Sequence, residues 1–553
     1  MSPNKLLRFC LVVLLFALTI AGCAAPQEKL ATTINLNLST KPVLDPSLAT
    51  DRSSLAVINE LFWGLTGIND QTYEATPKLA TSWEVSDDGL AWTFHLRDDL
   101  AWVLYEPATK KAEKKRQVTA HDVEYGVKRT IDPATRSGFA YVDYVIKNAQ
   151  AVNSGERSDL DSVGVKALDD RTVQFTLERP AAYFPFIAGM WVNYPLPKEV
   201  IDQFGDYWTE PGNLWSCGPY LLDTWEHEKG IVQVKNPFFY DAKSVSLETV
   251  NWAIITNAST ALKKYEAGEL DSLDDVSLAG ADLDRIRADP TLSKELRAVP
   301  WGDAAYFSFN VTKAPLDNKL VRRALAAAID KQKLIDTVFR SNDKVAKTFA
   351  PPGIFGSPAL DPNFKGIPYD PQQARQWLAE AGYPDGKGFP AITLMSIPAA
   401  DTRLFVEFAQ QQWKENLGIE VKWVSQEWNT YLRTLSTDPP QVALQFWAAD
   451  YPDENDFVLE VFHPTKSGNE PRWSPDDPAA KRFMEVTEAA AAEVNPARRK
   501  ELYFEAEKFL CEDEAVIIPM LHSVWTPLTR PYVERLYPVF GGLHVEKWRV
   551  RAH

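Results

Sequence analysis

The first twenty-three residues constrain this chain most, because they decide in which compartment it has to fold. Lys5 and Arg8 precede an apolar run from Leu11 to Ile20, and Ala21-Gly22-Cys23 closes that run with small residues ending in cysteine. The run is too short to stay as a membrane-spanning helix, and it has the charge, length and residue order of a lipoprotein export signal. Residues 1–22 are therefore expected to be removed and Cys23 to carry lipid, tethering the mature chain outside the cytoplasmic membrane. Neither ATP nor reduced nicotinamide is available there, so the tasks open to the fold are capture, hydrolysis or adhesion.

Composition narrows those tasks. With 45% hydrophobic residues over 553 positions the chain can bury large cores, and its length suggests about two to four domains or lobes. A net charge of −16, more negative once Lys5 and Arg8 leave, argues against nucleic acid or anionic lipid and suits a cationic or zwitterionic solute. Cys10 leaves with the leader and Cys23 takes the lipid. Cys217 and Cys511 are the pair left to oxidise, and nothing in the sequence brings them within reach of each other.

Helix and strand patterns alternate along the whole chain without regular βαβ units, which gives an α/β class. Val173, Phe175 and Leu177 mark one face of a half-buried strand over Thr172–Leu177. Asp370-Pro371 opens a helix that buries Ala374, Leu378 and Ala381 and stops at Gly382. Asn495-Pro496 opens another, with Leu502, Ala506, Phe509 and Leu510 inward, and Asp317 is expected to cap a third through Val321, Leu325, Ala328 and Ile329. The basic segment from Val103 to Gln117, with Lys110, Lys111, Lys114, Lys115 and Arg116, is expected to be a solvated surface loop.

A search for catalytic groupings finds no Gly-rich phosphate loop, no G-x-S-x-G, no H-E-x-x-H and no C-x-x-C. The seven histidines are dispersed. Asp453-Glu454 and Glu512-Asp513-Glu514 read as solvated charges rather than a paired acid and nucleophile. No catalytic residue, metal ligand or cofactor is assigned, and together with export this favours a binder over the competing class, a secreted hydrolase.

Aromatic residues are abundant: 18 Trp, 19 Tyr and 27 Phe, more than a core of this size requires. Trp428 lies in the turn-like Gln426-Glu427-Trp428-Asn429. A β-prone run from Val442 to Trp447 leads through Ala448 and Ala449 into Asp450, and Pro452, Asp453 and Asn455 end it. A carboxylate is thus presented at a strand end beside a flat apolar wall, an arrangement that holds an ammonium group while leaving side-chain identity open.

At these residues the chain resembles the family 5 extracellular solute-binding proteins of peptide ABC importers, most closely their oligopeptide-binding members. The matches run in order over nearly the whole mature length. They begin with Leu44-Asp45-Pro46, Leu61 to Leu65, Ser82-Trp83-Glu84, Trp92 to Arg97, and Thr119-Ala120 with Asp122-Val123. They continue with Trp208 to Asn213, Gly218-Pro219-Tyr220, Val321 to Leu325 reaching Asp330, Leu378 to Tyr383, Gln426 to Trp428, and Trp447 to Tyr451. The resemblance implies a two-lobed periplasmic-binding-protein fold (type II, cluster C) with an extra domain packed on the first lobe. Lobe I would comprise residues 28–69, 179–300 and 519–553, the extra domain 70–178, and lobe II 301–518, with a hinge near Pro300 and Pro519.

It also implies a function: a lipid-anchored receptor that captures oligopeptides between its lobes and delivers them to a membrane permease with cytoplasmic ATPases. Such a protein acts as a monomer at the outer face of a bacterial cytoplasmic membrane, touches that membrane only through its lipid, and binds no nucleic acid. Backbone at Thr50, Asp51, Arg52 and Ser53 on one lobe and at Phe446 and Ala448 on the other would pair with the peptide backbone, a ladder every peptide offers. Asp450 would receive the α-ammonium, and Trp428, Trp447 and Tyr306 would line side-chain pockets. Departures are informative. A second-lobe disulfide of the family is replaced by Asp303 and Ala448, and Leu435, Leu444 and Phe446 stand where basic residues or glycine are found. The anchor for the peptide carboxylate then falls to Arg403, and the cleft is expected to be more apolar, suited to short peptides, dipeptides or another amine-bearing solute.

Overall fold

Apolar residues before position 300 build one large core and those after it build two more, one on each face of the later sheet. The computed structural model describes residues 30–69, 72–276, 278–466, 468–538, 540 and 542–553, so the leader and Cys23 lie outside the described residues. In β1 (Thr33–Leu38) the inward residues are Ile34, Leu36 and Leu38. Helix α1 (Arg52–Leu61) follows, its amino end capped by Asp51, which accepts from Ser54 N–H. Strands β2 (Ala80–Val85) and β3 (Ala91–Leu96) start a four-stranded antiparallel sheet, and β4 (Ala101–Glu106) and β5 (Lys111–Gln117) form a hairpin.

That hairpin corrects the expectation of a loop over Val103–Gln117. Its inner strand buries Trp102, Val103 and Tyr105, while the charged outer strand is an edge, where lysines discourage pairing with another chain. Asp223 holds Lys110 at the turn, and Arg116 reaches both Asp122 and Glu199. The first sheet is completed by β6 (Val165–Asp169) and β7 (Thr172–Thr176), in the order β2-β3-β7-β6, as the alternation of Val173 and Phe175 requires. A second sheet runs β8 (Tyr220–Glu226), β9 (Gly230–Lys235), β10 (Thr249–Ile254), then β1 in parallel. One core, from Ile34 to Trp252 and from Val533 to Val550, joins these parts, and Tyr451, Leu459 and Ala491 pack into it from the later chain.

Past residue 300 the chain builds a six-stranded sheet. The long β11 (Val299–Phe309) leads to α2 (Lys319–Ala327), whose cap is Asn318 rather than the expected Asp317. The Asn318 side chain accepts from Leu320 N–H, starting the helix one residue later. After β12 (Lys344–Val345), α3 (Pro371–Glu380) opens on Asp370 and ends before Gly382, whose φ is +98°. Then come β13 (Ile392–Ser396), α4 (Ala400–Leu417), β14 (Val421–Ser425), α5 (Trp428–Thr437) and β15 (Val442–Ala448). Helices α6 (Asn455–Phe462) and α7 (Pro496–Lys508, capped by Asn495) precede β16 (Ile517–Trp525). The sheet order is β12-β16-β11-β15-β13-β14.

Strands β11 and β16 pair antiparallel, and their register shifts between Pro300 and Ala304, where the chain passes from the first core to the second. Cys217 and Cys511 are both buried and unbridged.

Candidate functional site

The strand order of the second lobe places the site. From β13 the chain crosses through α4 to its neighbour β14, then through α5 back over β13 to β15, so the direction of winding reverses. The two helices accordingly lie on opposite faces. Phe405, Val406 and Trp413 of α4 pack with Leu394, Val442 and Leu444, whereas Tyr431 of α5 packs with Met395 and Ala443. A crevice forms outside the carboxyl ends of strands at such a reversal. The end of β15 and the amino ends of α4 and α5 converge there. Pairing of β15 with β13 is confined to Val442 and Ala443, so the backbone from Leu444 to Ala448 continues without a strand partner on that side.

Asp450 lies two residues beyond β15. Asp456, in the first turn of α6, fixes the bend: one of its carboxylate oxygens accepts both the Trp447 indole N–H and the Asp450 backbone N–H, each at 3.1 Å. Ala449 N–H donates to Gly302 O at 2.9 Å. The Asp450 carboxylate meets the short helical turn Ala140–Val145, where the Tyr141 hydroxyl donates to Oδ2 at 2.6 Å. Burial pushes the Asp450 carboxyl up to about 6, with the Tyr141 bond pulling the other way. Burial and the neighbouring Asp450 charge raise Asp456 well above the usual carboxylate range. Burial also raises Glu460, against the pull of Arg179, whose guanidinium is 3.8 Å away. Tyr183 of the first lobe stacks flat on Tyr451, with ring centroids 5.4 Å apart.

A second contact crosses between the lobes nearby. Arg52 Nη2 meets Asp303 Oδ2 at 2.7 Å, and its guanidinium lies 4.7 Å from the Trp301 ring centroid. Asp303 is the direct cross-strand partner of Ala448.

The model of the bacterial extracellular solute-binding proteins, family 5 Middle, matches residues 74–469. The chain belongs to this family. It is 31% identical over 532 residues to the oligopeptide-binding protein OppA of Bacillus subtilis, with 92% of each chain covered. Among solved structures it is similar to the unliganded open form of the periplasmic murein tripeptide-binding protein MppA, with a TM-score of 0.79 at 29% identity, covering 96% of this chain and 99% of that one. It is also similar to Haemophilus influenzae OppA in complex with RPPGFSPFR, with a TM-score of 0.70 at 25% identity, covering 95% and 100%. The two-lobed type II fold of the family is therefore the fold of this chain.

Several of the expected family 5 site residues come together and others do not. Phe446, Trp447, Ala448 and Asp450 share one strand end, and Phe446 is 50% exposed with its ring edge on Phe405. Trp428, read as a turn residue, is instead the first residue of α5; it is 53% exposed and stacks on Tyr431. Tyr306 has no exposed surface. Its hydroxyl bonds to Glu470, and its ring packs on Phe349 and Phe462, so it stands behind the wall rather than on it. Arg403 is exposed in the first turn of α4 and pairs with Glu407. On the first lobe Thr50 and Arg52 are exposed, Asp51 is spent as a helix cap, and Ser53 is buried, its hydroxyl on Asp275.

The sequence reading missed Tyr141, Arg179, Tyr183, Asp456 and Glu460. Asp456 and Glu460 had a usable signal, since acids at i and i+4 on an otherwise apolar helix (Asn455-Asp456-Phe457-Val458-Leu459-Glu460) belong to a buried or lining face. Asp453 and Glu454, expected to be solvated, are fully buried; Asp453 pairs with Arg499 at 2.7 Å.

Proposed function

We propose that this chain captures short peptides in the cleft between its lobes and delivers them to an ABC permease driven by cytoplasmic ATPases. The observation that carries this is the half-buried Asp450 carboxylate at the end of a strand edge that has no strand partner past Ala443 and is touched at Leu444 O only by the Tyr431 hydroxyl. An extended peptide added to that edge would bond through its backbone, whatever its sequence, and place its α-ammonium on Asp450. The peptide-binding relatives named above support the same cargo class. Trp428, Trp447 and Phe446 would supply apolar wall, and Arg52 and Thr50 would approach from the first lobe.

In this proposal lobe I is formed by residues 28–69, 179–300 and 519–553, the extra domain by 70–178 and lobe II by 301–518. Closure turns about the β11/β16 crossing at Pro300 and Pro519. Cys23 carries the lipid that keeps the receptor at the outer membrane face, and among the described residues no helix is long and apolar enough to cross a membrane.

A peptide that binds only the folded chain should stabilise it by ~2.7 kcal/mol at about a hundredfold excess over Kd. Small-angle scattering should show compaction in step with that rise, since the ligand selects the closed state by touching both lobes. A shape unchanged at saturation would argue against a two-lobed clamp.

Affinity should also vary with pH. The carboxyl of Asp450 titrates near 6 without ligand because it is buried, and only its ionised form attracts an ammonium. Peptide affinity should be full above that pH and fall as pH drops through it. At the other limb the peptide's own α-ammonium loses its proton near pH 8, so calorimetric titration from pH 4.5 to 9 should give a bell. A profile flat from pH 7 down to 5 would remove Asp450 from the ligand.

A further inference from the structure

A cavity of about 460 Å³ lies between the lobes beyond Asp450, lined among others by Tyr141, Arg179, Tyr183, Asp456 and Glu460. An α-ammonium occupies only a small part of such a space. The cavity's charge is unbalanced. Three carboxylates, of Asp450, Asp456 and Glu460, face a single guanidinium that approaches no closer than 3.8 Å, while Lys466 at the rim is held by Glu488 at 2.7 Å. A peptide ammonium on Asp450 leaves the Glu460 carboxylate, among the described residues, with no cation closer than the Arg179 guanidinium at 3.8 Å. Tyr183 adds an independent sign: it is 1% exposed, lines the cavity, and its hydroxyl faces the Arg179 guanidinium without a close hydrogen bond. A buried hydroxyl and a buried carboxylate both lose free energy until something meets them. An apolar group would leave them unmet, and an anion would face the Asp450 and Glu460 carboxyl groups.

We infer that the cavity takes the basic side chain of the cargo's first residue, so that preferred cargo carries two positive charges at its amino end. The α-ammonium rests on Asp450, and the lysyl or arginyl head group lies against Glu460 and the Tyr183 hydroxyl. This builds on the peptide reading of Asp450 and narrows it, since the resemblance alone implied pockets indifferent to side-chain identity.

Isothermal titration at pH 7.5 with Lys-Ala-Ala and norleucyl-Ala-Ala tests it, because the two peptides differ only by the ε-ammonium in place of a methyl group. The lysyl peptide should bind the wild type about tenfold tighter or more. Glu460→Gln should bring that ratio close to one. Tyr183→Phe keeps the ring stacked on Tyr451, folds as the wild type does, and should lower the ratio a few-fold. Equal binding of the two peptides to the wild type overturns the inference while leaving the ammonium site intact. So does a Glu460→Gln variant that weakens both peptides equally, which would make Glu460 only a support for Arg179. If neither peptide binds, the peptide reading of Asp450 falls, and this inference with it.

Discussion

Asp450→Asn is expected to weaken binding of a free-amine peptide by roughly 2 to 5 kcal/mol. The substitution keeps the shape of the side chain and its capacity to accept from the Tyr141 hydroxyl, so the bend built by Asp456 should survive. It leaves the peptide's ammonium against a neutral acceptor once the cleft has closed over it. N-acetylation of the peptide should cost the wild type a similar amount, because it removes the other partner. The two changes should not add, since they delete one interaction, whereas trimming the peptide's carboxyl end should add with either. Equal binding of acetylated and free peptides would leave Asp450 a strand-end turn residue.

The second lobe's site was legible in sequence wherever the signal was local. A β-prone run from Val442 to Trp447, ended by Pro452 and Asp453, was enough to put a carboxylate at a strand end, and the Asp370-Pro371 and Asn495-Pro496 caps marked true helix starts. Local signals failed where two neighbours competed. Asp317 and Asn318 are both good caps, and the one-residue choice between them appears only when Val321 and Leu325 pack. Charge misled in the hairpin, because an edge strand can be as charged as a loop when its inner partner does the burying.

Partners distant in the chain were beyond reach for a different reason. Tyr141 meets Asp450 across 309 residues and Arg499 meets Asp453 across 46, so neither pairing leaves a trace in spacing. Asp453 was misread for the same reason, whereas Glu454 is buried beside the carboxyl of Glu507, 53 residues on. Acids in a Pro- and Asn-rich turn look solvated until a distant cation is known to arrive.

That distant cation gives the largest expected stability effect. Arg499→Met should destabilise the chain by about 3 to 5 kcal/mol, because it leaves the Asp453 carboxylate fully buried without its ion partner. Asp453 would keep the Tyr503 hydroxyl and the Asn455 N–H, both at 3.0 Å, which hold an anion only partly. Arg499 also donates to Ala490 O and lies over the Phe355 ring, so the loss includes packing. The pH dependence has a definite sign. Burial already raises the Asp453 carboxyl, and the guanidinium holds it down. Without Arg499 the folded value climbs further above the unfolded one, so the variant's deficit should be largest at neutral pH and shrink as pH falls and Asp453 takes up a proton. Adding Asp453→Asn should recover part of the loss at pH 7.5, since the pair costs most when only one member remains. Urea titrations at pH 7.5 and 5 on the wild type, both single variants and the double variant measure all three effects. A loss below about 1 kcal/mol, or one that does not change with pH, would mean that water reaches the pair and that the turn behind Asp450 is held by its backbone alone.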